Sequence, residues 1–128
     1  MRAIVDTHAL LWFLEGDSRL PDRARGLIED GDNEMLVSIA SLWEIAVKHS
    51  LGKLDLARPF DEVIPSQLEV NGFTNLPLAI PHVAKVAGLP FHHRDPFDRV
   101  LIAQALVEGL PILGGDMAFD SYGVDRIW

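Results

Sequence analysis

Apolar positions along the chain follow two rhythms, short continuous runs and longer stretches at helical spacing, and the two alternate. "AIVD" at 3–6, "EMLVS" at 34–38 and "GLPILGGD" at 109–116 each hold a short apolar run, the mark of a strand buried on both faces. The first and last of these runs end in an acid. "FTNLPL" predicts a weaker strand, since Pro77 limits its pairing, and "VDRIW" predicts a final edge strand.

Helical spacing fills the intervals. Leu10, Leu11, Phe13 and Leu14 lie within about a turn, and "GDSRLP" stops that pattern. A second helix is predicted from Pro21 to Ile28, closed by Gly31. "IASLWEIAVKHSLGKL" spaces Ile39, Leu42, Trp43, Ile45, Ala46 and Val47 as a largely buried helix with Glu44 in its middle. "PFDEVIPSQLEVNG" predicts another, with Pro65 disturbing its early turns, and "IPHVAKVAGLP" a short one ended by Gly88 and Pro90. After the polar loop "HHRD", the stretch "RDPFDRVLIAQAL" opens a helix that runs to about Glu108.

Strands separated by helices require crossover connections, so the expected fold class is α/β, a mostly parallel sheet covered by helices. With 128 residues and no repeat, linker or low-complexity tract, residues 1–128 are expected to form one domain. Hydrophobic residues at 48% and charged residues at 23% match a soluble globular chain, and no apolar run approaches the roughly 18 residues of a membrane span. No signal peptide is evident in "MRAIVDTHALLWFLEGD", and a cytoplasmic location is expected. The absence of cysteine excludes disulfides and thiolate metal sites, leaving His, Asp and Glu as side-chain ligands. A net charge of −8 argues against binding nucleic acid by a broad basic surface, so cations would have to help.

In parallel sheets ligands bind beyond the carboxyl ends of the strands. Asp6 and Asp116 fall at strand ends, Asp98 at the start of the helix feeding the strand before Asp116, and Glu44 one to two turns into a helix leaving the same edge. Clustered carboxylates repel one another and persist mainly where protons or cations neutralise them. Magnesium, a hard ion that pairs carboxylates with phosphate oxygens, suits such a cluster. Chance placement is the competing explanation, since 19 of the 128 residues are acidic. Two aspartates open the last long helix: Asp95 has the position of an N-cap before Pro96, and Asp98 adds charge in the first turn.

"IVDTHALLWFL", "SIASLWEIAVK", "HHRDPFDRVLIAQAL" and "GGDMAFDSYGV", in this order and spanning almost the whole chain, resemble the PIN-domain family, particularly the VapC-like toxins of toxin–antitoxin pairs. The resemblance implies a PIN-like three-layer α/β/α fold with a mostly parallel sheet of about five strands. It implies a Mg²⁺- or Mn²⁺-dependent ribonuclease whose catalytic and metal-holding acids are Asp6, Glu44, Asp98 and Asp116. The interval from Asp98 to Asp116 matches the family's, which assigns the metal role to Asp98 and leaves the cap to Asp95. An RNA substrate, a cognate antitoxin protein and a homodimer are the implied partners, with no membrane. One feature departs from the pattern: where relatives commonly carry Ser or Thr just before the fourth acid, this chain has Gly114 and Gly115. Those glycines would let backbone amides approach phosphate.

Other residues carry two readings. His8 is expected to cap or lie exposed, and His92 and His93 to sit in a solvated loop, although either could touch RNA. Arg94 and Arg99 either contact phosphate or pair with nearby acids. Ser38 and Ser41 are ordinary caps or hold a ligand water, and Ser41 with Glu44 has the spacing of a capping box. Trp12, Phe13 and Trp43 are expected in the core, unless the early helices leave a groove that would suit an antitoxin segment. Among other functions, a receiver domain lacks its paired acids and late lysine here, and a haloacid-dehalogenase phosphatase would need Asp-x-Asp where the chain reads "DTH". A catalytically inactive PIN-like protein-binding module is the remaining alternative.

Overall fold

The computed structural model describes all 128 residues. Five strands, β1 (Arg2–Val5), β2 (Glu34–Ser38), β3 (Thr74–Leu76), β4 (Ile112–Leu113) and β5 (Arg126–Ile127), form one sheet in the order β3-β2-β1-β4-β5. Every pairing is parallel; Ile4 faces Leu36 on one side and Ile112 on the other. Six helices connect them: α1 (Thr7–Glu15), α2 (Asp22–Glu29), α3 (Ile39–Ser50), α4 (Phe60–Val70), α5 (Ile80–Ala87) and α6 (Pro96–Glu108). A 3-10 helix at Met117–Tyr122 precedes β5.

Strand alternation divides the core into two layers. Ala3, Val5, Met35, Val37 and Leu113 point to one face and pack with Leu10, Ala24, Ile28, Ile45, Ile64 and Leu68 of the early helices. Ile4, Leu36, Leu76 and Ile112 point to the other, against Leu101, Ile102 and Ala105 of α6 and against Phe119. The result is the expected three-layer α/β/α sandwich. The order of strands reverses between β1 and β4, since the chain builds outward to β3 and then returns to the other side. A crevice at such a reversal is where ligands bind in open parallel sheets.

The sequence pattern predicts most element positions, with instructive differences. Pro65 lies inside an unbroken α4; it and Asp61 are exposed, so water can take the carbonyl that the missing N–H leaves unpaired. Trp43 is not in the core: it is 60% exposed on α3 and meets the Phe97 ring edge-on at 5.2 Å. The buried stripe of α3 is instead Ala40, Ser41, Glu44 and Ile45. Two of these four are polar, which the apolar spacing could not reveal.

Candidate functional site

Two of the site's acids, and one beside it, begin as solutions to a backbone problem. The first amides of a helix have no carbonyl partner within it, and a carboxylate at the N-cap satisfies them. Asp6 ends β1 and caps α1, its Oδ1 accepting the Ala9 amide at 2.7 Å. Asp116 caps the 3-10 helix through Oδ1 and the Ala118 amide at 2.9 Å. Asp95 caps α6, with Oδ1 accepting the amides of Phe97 and Asp98 at 2.9 and 3.0 Å. For Asp6 the second oxygen is left over, and for Asp116 it faces His93.

Asp98, inside the first turn of α6, makes no cap. Its Oδ2 accepts from His93 Nε2 at 2.8 Å, and the same nitrogen lies 3.1 Å from Asp116 Oδ2. One ligand atom from each of His93, Asp98 and Asp116 fits within a 4.8 Å span. Glu44 approaches from α3 and is 2% exposed. Its Oε2 accepts from Lys48 one turn on, while Oε1 is buried with no hydrogen-bond partner. Such an orphaned oxygen is costly unless something electropositive meets it. The capping-box expectation for Glu44 fails, because α3 starts earlier: Ser38 is the cap and takes the Ala40 amide, while Ser41 is interior and accepts from Thr7 Oγ1.

Burial sets the electrostatics. Asp6 is pushed up to about 7, first by desolvation, against the pull of the Ala9 amide, and then by the fields of Asp98, Asp116 and Glu44. Asp98 is raised to about 6 by burial and then by Asp95, with His93 acting in the opposite direction and Glu44 adding to the rise. Asp6 thus feels the other three acids, and Asp98 feels Glu44. A divalent cation fits this donor set, since hard oxygen ligands, mutual repulsion and an unpartnered oxygen are all relieved by it.

A stability consequence follows. Between about pH 4 and pH 7 the folded chain keeps protons on Asp6 and Asp98 that the unfolded chain releases, so folding loses stability as pH rises through that window. The expected loss is on the order of a few kcal/mol. Chelator-treated protein should melt at a lower temperature at pH 7.5 than at pH 5, and Asp6→Asn should flatten the difference. An equally steep change in the variant would remove Asp6 as its source.

His93 is the site residue that sequence reasoning missed, having been expected in a solvated loop. The loop is fastened from below. Arg99 is buried and donates to the carbonyls of Pro90, Leu89, Val86 and His93, at 2.8, 3.2, 3.4 and 3.4 Å. Tyr122 OH donates to Pro90 O at 2.7 Å and accepts the His93 amide at 2.8 Å. Arg99 thus does neither of the two jobs expected of it; it holds the loop that aims His93. His8 and Arg94 are exposed, as is His92, which meets the Tyr122 ring.

Gly114 has a steric reason. A Cβ there would stand 2.5 Å from Asp6 Oδ2 and 3.2 Å from the buried Phe119 ring. Its amide already donates to Ile127 O at 3.1 Å, so it is not held out toward phosphate as expected. The missing hydroxyl is the consequence of how closely β4 passes the Asp6 carboxylate.

Known proteins agree with this architecture. Ribonuclease VapC16 of Mycobacterium tuberculosis (strain ATCC 25618 / H37Rv) is 34% identical over 61 residues, 48% of this chain and 42% of that protein, so the match takes in less than half of the relative's length. The crystal structure of VapBC2 from Rickettsia felis, bound to a DNA fragment from their promoter, superposes with a TM-score of 0.69 at 12% identity, covering 99% of this chain and 98% of that one. FitAcB from Neisseria gonorrhoeae gives 0.65 at 18% identity over 100% and 97%. Both structural likenesses speak for the fold. A family model described as the PIN domain matches residues 3–124, nearly the full length, and the chain belongs to the PIN-domain family.

Proposed function

We propose that this protein is a metal-dependent endoribonuclease, the toxin of a type II toxin–antitoxin pair, that hydrolyses RNA phosphodiester bonds. The observation that supports the reading is the electrostatic cost at the crevice between β1 and β4, where Asp6 is raised by burial and by the fields of Asp98, Asp116 and Glu44, and Glu44 Oε1 is buried and unpaired. The four carboxylates would hold Mg²⁺, with Mn²⁺ as the substitute ion. A divalent cation in such a site supplies charge that stabilises an oxygen leaving phosphorus and makes water a nucleophile at neutral pH.

The chain's own groups prepare the site. Asp6 and Asp116 use Oδ1 for capping and keep Oδ2 for binding, so each free oxygen is fixed by a helix start. His93 bridges Asp98 and Asp116 and keeps the two acids at hydrogen-bond distance of one nitrogen. Lys48 holds Glu44 by one oxygen and leaves the other buried without a partner. His93→Ala should weaken Mn²⁺ binding by about 10- to 100-fold, the usual effect of losing a group that orients ligands. Calorimetric titration checks this; unchanged affinity would mean that His93 only fills space.

The partners proposed are RNA as substrate, a cognate antitoxin and a second copy of the chain. No helix is long and apolar enough to cross a membrane, and a cytoplasmic location is proposed with the toxin reading. The first test is cleavage of a mixed set of structured and single-stranded RNAs with Mg²⁺, with Mn²⁺ and with chelator. Metal-dependent cleavage supports the proposal. Cleavage that persists in chelator overturns it.

A further inference from the structure

Aromatic rings and cations stand directly beside the carboxylates, in a part of the molecule that the proposed chemistry does not use. A cavity of about 480 Å³ shares Asp6 and Asp116 with the site and is walled by Trp12, Trp128, His8 and Arg19. Its volume lies within the roughly 300–1,000 Å³ typical of ligand sites. The Trp12 and Trp128 rings are 6.1 Å apart and inclined by 51°, and His8 lies 5.8 Å from Trp12. The Arg19 guanidinium stands 5.1 Å from the Trp12 ring, steadied by Asp17 at 2.7 Å. Gly115 belongs to the same construction: a Cβ there would come within 2.9 Å of the Trp128 ring. The second glycine therefore lets this ring lie against the backbone that carries Asp116.

Beyond Trp12 and His8 a second cavity of about 220 Å³ continues along the surface, lined by Arg19, Lys48, Lys53 and one acid, Glu15. Lys48 is paired with Glu44 and Arg19 with Asp17, which leaves exposed Lys53 as the cation of this cavity with no acid bonded to it. Rings that offer faces to a base and cations that follow the backbone are the parts of a single-strand binding track. Resting on the ribonuclease reading, we propose that the Trp12–Trp128 pocket seats one nucleobase of single-stranded RNA next to the phosphate at the carboxylates, with the next phosphate running past Arg19 toward Lys53. Two tryptophan rings with Lys53 in the next cavity suit a base and the phosphate that follows it, so RNA is the better match.

Binding and cleavage test this separately. Trp43→Phe removes the one tryptophan outside the pocket, so fluorescence then reports Trp12 and Trp128 alone. Nucleoside 5′-monophosphates with Mg²⁺ should quench that signal saturably, and Trp12→Ala or Trp128→Ala in the same background should weaken their binding by about tenfold or more. In RNA cleavage the same variants should raise KM by a comparable factor, change which nucleotides flank the cut and leave kcat nearly unchanged. Trp12→Phe, which keeps a ring, should recover most of the loss, and exposed Lys53→Glu should raise KM in low salt without touching the core. Melting curves identify any alanine variant that does not fold, and the phenylalanine and Lys53 variants carry the test in that case. Wild-type KM and cut-site preference in the folded variants would overturn the pocket, as would RNA cleavage without any quenching by monophosphates. Quenching by an arginine-bearing hexapeptide but by no monophosphate would overturn it in favour of a protein occupant. Quenching without cleavage of any RNA would uphold the nucleotide pocket and remove the ribonuclease reading instead.

Discussion

Replacing Asp98 with asparagine is expected to lower kcat/KM for RNA cleavage by at least about 10²-fold, whereas Asp95→Asn should leave it within a few-fold. The two aspartates are three residues apart on the same helix start, yet their oxygens have different partners. Asp95 spends Oδ1 on two backbone amides, and asparagine caps a helix about as well as aspartate, so that substitution costs the fold little. Asp98 faces His93 and the field of Glu44, and its variant removes a negative charge from the proposed cation site. Asp95 does act on Asp98 through space, holding its pKa up. Asp95→Asn should therefore extend activity slightly toward acid while leaving the neutral rate alone. Cleavage rates of both variants from pH 5 to pH 8, with melting curves to confirm folding, decide the matter; equal losses would show that cap and ligand have been assigned wrongly.

The second large effect is expected at Gly114. Gly114→Ser supplies the hydroxyl that the resemblance implies here, but its Cβ would start 2.5 Å from Asp6 Oδ2. Asp6 cannot yield cheaply, because its other oxygen is tied to the Ala9 amide at the head of α1, and Phe119 behind it is fully buried. Overpacking of this kind costs about 1–3 kcal/mol. A carboxylate displaced by an ångström can lose about 10²-fold in rate. Both a lower melting temperature and a lower cleavage rate are expected, and Gly114→Ala should behave the same way, since the clash begins at Cβ. Wild-type melting and activity in either variant would mean that the Asp6 carboxylate moves freely.

The legible parts of this protein were those governed by local rules. β1 and β2 announce themselves as apolar runs with no polar interruption, and both lie in the middle of the sheet, where both faces are covered. The cap at Asp95 follows from Pro96 behind it, and that role is observed. Asp116 was read as the end of a strand, yet β4 stops at Leu113 and Asp116 caps the 3-10 helix that follows. What the sequence hid depends on residues far apart in the chain. His93 becomes a site residue only because Arg99 and Tyr122 fasten its loop, and Trp43 looks apolar in the pattern while its helix turns it outward. Gly114 was visible as an oddity; its reason required the position of Asp6.

Asp6 and Asp116 each divide their two oxygens between holding a helix start and facing the crevice. An asparagine in either place would keep the first job and abandon the second, because its amide oxygen caps equally well. Loss of chemistry and loss of folding are thereby uncoupled at these positions. On the proposed ribonuclease reading, a lineage of this protein can fall silent over evolutionary time by a single change and still keep its folded surface, so inert but well-folded descendants should arise readily.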